Sequence, residues 1–279
     1  MPRFFLQQPT LPGFGLSFGV STLFIGLVIL FPIAALLAYA SEMTWSQYWQ
    51  AVTDPRVLAS YRVTLQGALL STLIVVAFGL LLAWILVRYR FPGRRLLDGL
   101  VDLPFALPTA VAGLTLSVLL APGGWIGQWF APAGIKLSYA FPGLLSAMVF
   151  TSLPFVVRSV QPVLAEIGPE YEEAAHTLGA SDIQTVVRVL LPALWPALFT
   201  GASQAFIRSL GEFGAVVMIA GNIPFKTEIT SLMIFVRVSE FDYPAASAIA
   251  TVVLAASLLL LFALQVLQGR LLPWQQPGR

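Results

Sequence analysis

The chain has 279 residues, of which 58% are hydrophobic and only 10% are charged, and its mean hydropathy is +0.85. A soluble domain carries roughly 25% charged residues, and a disordered chain combines low hydrophobicity with high charge, so this composition excludes both classes. Cysteine is absent and His176 is the sole histidine, which argues against disulfides, metal sites and a Ser-His-Asp triad.

Uncharged stretches, each long enough to cross about 30 Å of hydrocarbon, predict six transmembrane helices in one domain over residues 1–279. Helices are expected rather than strands, because the apolar runs are continuous and open strand edges leave backbone groups unpaired in lipid. The first run exceeds the roughly 7–15 apolar residues of a signal peptide, so we expect a retained helix. The expected spans are roughly 16–40, 63–87, 104–121, 138–157, 194–221 and 244–268.

The distribution of Lys and Arg predicts that both termini lie in the cytoplasm. The side shared by the termini carries nine basic residues and the opposite side carries five. The nine are Arg3, Arg88, Arg90, Arg94, Arg95, Arg158, Arg188, Arg270 and Arg279, and the five are Arg56, Arg62, Lys136, Lys226 and Arg237.

The longest polar loop, about 158–192, is predicted to contain two helices. The first begins near Pro169, carries acids in its first turn, and ends before Gly179, which suits a left-handed residue. The second begins at Ser181, where Gln184 completes a capping box, and leads into span five. One narrow apolar face of the first helix is expected to comprise Tyr171, Ala174, Ala175 and Leu178.

Span five contains an acid and a base four residues apart, Arg208 and Glu212. Charges inside a bilayer are costly and usually face a partner or a polar path. The two side chains either neutralise each other, or Arg208 lines an anion path and Glu212 holds it in place. Similarly, Pro108-Thr109 in span three is either a kink or a break that faces a pore. The outer loop 222–243 is expected to include a short helix over 227–238, as a connector or as a landing site for a periplasmic protein.

Several segments resemble a known family. Glu173-Ala174-Ala175, with Gly179 four residues later and Leu191-Pro192 at the end, resembles the EAA loop of ABC importer permeases. Segments 102–114 and 208–215 are similar to permeases for tetrahedral oxyanions, and segments 235–237 and 240–250 to the sulfate branch. Over about residues 11–270 the chain most resembles the T-type, or U-type, permease subunit of sulfate/thiosulfate importers.

This resemblance implies an all-α, type I ABC importer permease fold with a cytoplasmic coupling helix. It implies that Glu173, Ala174, Ala175 and Gly179 contact an ATPase, with Tyr171 and Leu178 on the same face. The implied partners are a cytoplasmic ABC ATPase dimer, a W-type permease, a periplasmic sulfate-binding protein and the lipid of a bacterial inner membrane, without nucleic acid. The chain has no G-x-x-x-x-G-K-[S/T] run, so ATP hydrolysis is expected on the separate ATPase, and no enzymatic activity, cofactor or metal is expected here.

Four alternatives stay open at this point. The acidic helix could lie on the membrane surface, although such helices are usually basic. The substrate could be molybdate or tungstate, which are also tetrahedral dianions. A stand-alone secondary transporter usually carries inverted repeats and more intramembrane ionisable groups. A membrane enzyme would need a catalytic constellation, and Glu212 is the one acid expected clearly inside a span.

Overall fold

The computed structural model describes residues 13–271, which form helices joined by short loops. The terminal arginines Arg3 and Arg279 of the topology prediction lie outside the described residues. The helices are α1 (Phe14–Ser41), α2 (Trp45–Thr53), α3 (Pro55–Arg88), α4 (Arg94–Val101), α5 (Leu103–Ala106), α6 (Thr109–Leu120), α7 (Gly127–Phe130), α8 (Phe141–Glu166), α9 (Glu170–Thr177), α10 (Asp182–Leu210), α11 (Gly214–Ile219), α12 (Thr230–Ser239) and α13 (Tyr243–Leu271).

Five helices within residues 13–271 are long and apolar enough to cross a membrane: α1, α3, α8, α10 and α13. Their apolar segments contain 25 to 34 residues, and a rise of about 1.5 Å per residue makes each longer than about 37 Å. The spans predicted over 16–40, 63–87, 138–157 and 244–268 are therefore confirmed as helices, and the chain is a multi-pass membrane protein.

Two predicted spans are not continuous. Span 104–121 consists of α5, a break at Leu107-Pro108, and α6, whose 12 residues cover only about 18 Å. Span 194–221 ends its helix at Leu210 and resumes as the short helix α11 after Gly211–Phe213. At Pro108 the structure shows a break, one of the two alternatives that the sequence left open, whereas the span expected over 194–221 is interrupted. Proline lacks the backbone donor that a continuing helix needs, and glycine lacks conformational restraint.

The core of the helical bundle lies between α3, α8 and α10. Val156, Val157 and Val160 of α8 are fully buried there, against Val75 of α3 and Leu194 of α10. Small residues bring the backbones together: a Cβ at Gly79 would lie 3.0 Å from Val156, and a Cβ at Gly201 would lie 2.9 Å from the Val156 Cα. Close approach of this kind is the usual basis of helix association in lipid.

The first helix lies at the edge of the bundle. None of the residues in its apolar window is buried within the chain, so its sides are available to lipid or to another subunit. It packs along α13, with the rings of Tyr39 and Tyr243 6.3 Å apart. Next to it, the hydroxyls of Tyr48 on α2 and Thr251 on α13 lie 2.8 Å apart, which fixes α2 against the last helix.

Candidate functional site

The acidic helix α9 has the local structure that its sequence predicts. It spans Glu170–Thr177, eight residues rather than about ten, and Pro169 is its N-cap rather than its first helical residue. Gly179 adopts φ +82°, and its amide donates to His176 at 2.9 Å while the Ala180 amide donates to the Ala175 carbonyl at 3.0 Å. These two bonds form the Schellman motif expected for a glycine-terminated helix.

The second predicted helix is the first part of α10, which continues into span five as far as Leu210. Ser181 and Gln184 form the predicted capping box. Residues Val186–Leu190 form a wider π-helical turn immediately before Pro192. Proline removes one backbone donor and crowds the preceding turn, and the wider turn lets the helix continue through it.

The predicted contact face of α9 is divided between surface and interior. Tyr171 is 59% exposed and Leu178 89% exposed, and Glu173, Ala174 and Gly179 are exposed as well. Ala175, by contrast, is buried against its own chain. The exposed residues are therefore open on the surface of the chain, whereas Ala175 packs against the body of this chain.

Arg88, the last residue of α3, contacts the junction between α8 and α9. Its Nη1 donates to the Leu164 carbonyl at 3.2 Å, and its Nη2 donates to the Ile167 carbonyl at 2.7 Å. The same Nη2 lies 2.8 Å from Oε1 of Glu172 on α9. The alignment of this last contact is that of an ion pair rather than a hydrogen bond. Sequence reasoning had given Arg88 a role in topology alone.

A second arginine joins α8 to the segment that leads into the broken span. Arg158 binds Asp102 through two hydrogen bonds of 2.8 and 2.5 Å and donates to the Asp98 carboxylate at 2.6 Å. Gln161 also donates to Asp98, at 3.1 Å. The hydrogen bond from Arg158, followed by that from Gln161, lowers the pKa of the Asp98 carboxyl.

The predicted intramembrane pair is formed. Nη1 of Arg208 lies 2.6 Å from Oε2 of Glu212, whose side chain is 1% exposed against 31% for the arginine. The other carboxylate oxygen of Glu212 accepts the Ala215 amide at 2.9 Å, so Glu212 caps α11 across the break. The last turn of α10 is held to α3 by a buried hydrogen bond of 3.1 Å between Ser71 and Ser209.

The two broken spans meet beside this pair. Helices α6 and α11 pack closely together. A Cβ at Gly113 would overlap the backbone of Ala215, and a Cβ at Gly214 would overlap the Thr109 hydroxyl. The breaks at Pro108 and Gly211 therefore lie where α6 and α11 cross. This crossing of α6 and α11 places irregular backbone next to Arg208. Irregular backbone at membrane depth is tolerated where protein buries it or where it lines a water-filled cavity.

The outer loop contains a buried charge that sequence reasoning missed. Glu228 is 1% exposed and binds Nε and Nη2 of Arg56 at 2.8 and 2.7 Å. The Thr230 amide donates to the Thr64 hydroxyl at 2.8 Å. These bonds fix α12, the predicted outer helix, against α3, and α12 begins three residues later than expected. The pairing of an acid and an arginine far apart in the chain leaves no local pattern by which it could be predicted.

Comparisons of sequence place the chain among transport proteins. Residues 75–276 match the family described as binding-protein-dependent transport system inner membrane component. The chain is 61% identical over 264 residues to the sulfate transport system permease protein CysT of Escherichia coli (strain K12), covering 95% of each chain. It is 47% identical to the protein of that name from Synechocystis sp. (strain PCC 6803), covering 89% of this chain and 87% of the relative.

Solved structures agree on the fold. A chain of the bacterial alginate ABC transporter, solved with its alginate pentasaccharide-bound periplasmic protein, superposes with a TM-score of 0.74 at 18% identity, covering 92% of this chain and 94% of that one. A chain of an amino acid ABC transporter gives a TM-score of 0.56 at 18% identity, covering 82% and 100%. The architecture is thus the predicted type I permease fold, and the chain belongs to the family of inner membrane components of binding-protein-dependent transport systems.

Proposed function

We propose that this chain is the membrane-spanning permease subunit of an ATP-driven importer for sulfate and thiosulfate. The observation that carries the proposal is the 61% identity to a sulfate transport permease over 95% of both chains. Membership of the family supports a periplasmic binding protein and a cytoplasmic ATPase as partners. A dimer of that ATPase would hydrolyse the ATP, a periplasmic sulfate-binding protein would deliver the anion, and a related W-type permease would complete the path. Both termini would then lie in the cytoplasm.

The ATPase contact is assigned to α9. Its exposed residues Tyr171, Glu173, Ala174 and Leu178, followed by the exposed Gly179, project from the end of the bundle on the side rich in arginine. An amphipathic helix that inserts an apolar face into a groove buries residues at this spacing. Ala175 faces its own chain and transmits the contact rather than making it.

The anion path is assigned to the crossing of the two broken spans. Transfer of a bare dianion into hydrocarbon is prohibitively costly, so the path needs polar groups and water. Arg208 is partly exposed and supplies a positive charge, while the buried Glu212 holds the guanidinium and offsets part of that charge. Partial neutralisation favours weak, brief binding, which lets an anion leave a pore as readily as it enters.

Radiolabelled sulfate uptake tests the substrate, in cells that lack their own sulfate permease and co-express this chain with its neighbouring transporter genes. We expect uptake that excess thiosulfate blocks and excess molybdate does not. Block by molybdate alone, or an assembled complex without sulfate uptake, would move the substrate to another anion.

Two further variants test the assigned residues. Glu173→Arg should weaken ATPase association and abolish uptake with membrane insertion intact, whereas Glu166→Arg, an exposed acid at the end of α8, serves as the matched control. The double variant Arg208→Gln/Glu212→Gln removes both charges of the pair together. Assembly with impaired uptake supports Arg208 in the path, and normal uptake in the double variant rejects that role.

A further inference from the structure

One arginine side chain joins three helices at the cytoplasmic end of the bundle. Arg88 ends α3, binds the carbonyls of Leu164 and Ile167 at the end of α8, and pairs with Glu172 on α9. The last carbonyls of a helix have no partners within the helix and attract cations, so both contacts with α8 are favourable. The side chain is 15% exposed and that of Glu172 is 25% exposed, so water screens this contact only in part.

The geometry requires a guanidinium. Its two terminal nitrogens reach two carbonyls and one carboxylate at once, and its carbon lies 5.5 Å from the ring centroid of Trp84, one turn earlier on α3. A planar, forked cation that also stacks on an indole can satisfy this set of partners. A lysine ammonium has its three donors on one nitrogen, whereas these acceptors are contacted through two separate nitrogens, so lysine would not reproduce the arrangement.

The other attachments of α9 are to its neighbours along the chain. A three-residue segment, Ile167–Pro169, connects α9 to α8, and the turn at Gly179 connects it to α10. Its main packing contacts are with the first turns of α10. The pair between Arg88 and Glu172 is therefore the ion pair that ties α9 to α3 within residues 13–271.

Helix α3 leads from this pair to the intramembrane site. It is a continuous helix of 34 residues, and Ser71, about 26 Å along it from Arg88, binds Ser209 next to Arg208. A displacement of α9 would thus reach the anion path through one ion pair, one rigid helix and one buried hydrogen bond. Coupling between distant sites travels through contiguous packed elements of this kind.

We propose that Arg88 is a positioning residue that transmits the movement of α9 to α3 and so couples ATP hydrolysis to anion movement. The proposal rests on the proposed function of α9 as the ATPase contact. It adds a direct connection to α3 that the contact face of α9 does not supply.

The test uses the full complex of permeases, ATPase and binding protein in proteoliposomes, and it measures sulfate import and ATP hydrolysis together. The variants are Arg88→Gln, Arg88→Lys, Glu172→Gln and the double variant Arg88→Gln/Glu172→Gln. Arg95→Gln and Glu166→Gln serve as controls, since they make the same charge changes at exposed positions that form no ion pair among residues 13–271.

We expect Arg88→Gln and Glu172→Gln each to lower the sulfate imported per ATP hydrolysed by about tenfold, while stimulated ATP hydrolysis persists. Arg88→Lys should recover part of the loss, and the double variant should be no worse than the worse single variant. Arg88→Gln also removes two hydrogen bonds to α8, so a folding defect is to be checked by thermal unfolding. Glu172→Gln retains those bonds, and an unchanged import-to-hydrolysis ratio in that variant would overturn the proposal.

A measurement that needs no substrate separates this proposal from the choice of anion. The chain has no cysteine, so spin labels at Tyr89→Cys and Thr177→Cys report the distance between the end of α3 and α9. We expect one narrow distance distribution with and without nucleotide, because the helices move together, and a broader distribution in the Glu172→Gln background. The same narrow distribution in both backgrounds would refute Arg88 as the link, whereas failure of the wild-type complex to import sulfate would refute only the substrate.

Discussion

Two Arg–Glu pairs in this protein have the same chemistry and different structural roles. Arg208 lies in the last turn of α10, and Glu212 follows four residues later, just beyond the end of that helix. Their contact of 2.6 Å therefore depends on one short segment of the chain. Arg88 and Glu172 come from different helices, and their contact of 2.8 Å exists only when α3, α8 and α9 are assembled. An ion pair within one short segment holds a charge in a fixed position. An ion pair between two helices depends on their relative position, so a movement of one helix can displace the other.

The largest effect is expected when the local pair loses its cation. Arg208→Ala leaves Glu212, which is 1% exposed, without its partner. Breaking a buried pair in this way costs about 3–5 kcal/mol. Thermal unfolding of the purified complex in detergent measures the loss.

Arg208→Gln/Glu212→Gln provides the comparison for that variant. It removes both charges at similar side-chain volume, so most of the lost stability should return. If the double variant is as unstable as Arg208→Ala, the burial of an unpaired carboxylate is not the cause of the loss.

A smaller loss of stability is expected when a side chain is added at the crossing of α6 and α11, which supports the pair of Arg208 and Glu212. Gly113→Ala would place a methyl group on the backbone of Ala215, and overpacking of this kind costs about 1–3 kcal/mol. Gly211→Ala is the matched control, because the nearest atom to its added Cβ is 3.8 Å away. Equal unfolding temperatures for the two variants would mean that α6 and α11 separate easily, and that the crossing is not a rigid support for Arg208.

The same distinction between local and non-local features explains what the sequence could predict. The cap at Ser181, the left-handed Gly179 and the four-residue spacing of Arg208 and Glu212 are all encoded within one or two turns, and all three are present. The assignments of Arg88 and Arg158 to topology alone missed their partners, which lie far away in the chain. Burial of Ala175 was also missed, since the helical period groups it with Ala174 and cannot tell which neighbour covers each residue.

The breaks in spans three and five show a further limit. Hydropathy measures how apolar a segment is and contains no information on hydrogen bonds. A span predicted from hydropathy therefore covers α5 and α6 together, and another covers α10 and α11 together. The sequence does contain a proline at position 108 and glycines at 211 and 214, which can interrupt a helix. Whether such residues bend a helix or end it depends on the packing of α6 against α11, which a single sequence does not reveal.

A local change at the end of α9 should have a modest cost. Gly179 has φ +82° and open space around its Cα, so Gly179→Ala meets backbone strain rather than a clash. The left-handed conformation costs an L-residue about 1–2 kcal/mol. Hydrogen exchange should show faster exchange at the last turn of α9 and no change at α3. Faster exchange at Arg88 as well would mean that α9 and α3 are coupled through the fold of the turn, and not through the ion pair alone.

The smallest effect concerns the second non-local arginine, Arg158. It lowers the pKa of Asp98 by donating a hydrogen bond to the carboxylate, so the ionised form is favoured in the folded state. The resulting stability is fully present above the unfolded carboxyl pKa of about 3.9 and is lost as the pH falls through the lower folded value. Because the Asp98 side chain is 45% exposed, we expect Asp98→Asn to cost less than about 1 kcal/mol near pH 7.

This difference in stability should begin to shrink as the pH falls below about 4 and should vanish below the lowered pKa of the folded state, where the wild-type carboxyl is protonated as well. Unfolding temperatures of wild type, Asp98→Asn and the control Glu166→Gln, measured across that range, test the sign. A wild-type advantage that grows on acidification would mean that Asp98 is held protonated in the folded state and that Arg158 is paired through Asp102 alone.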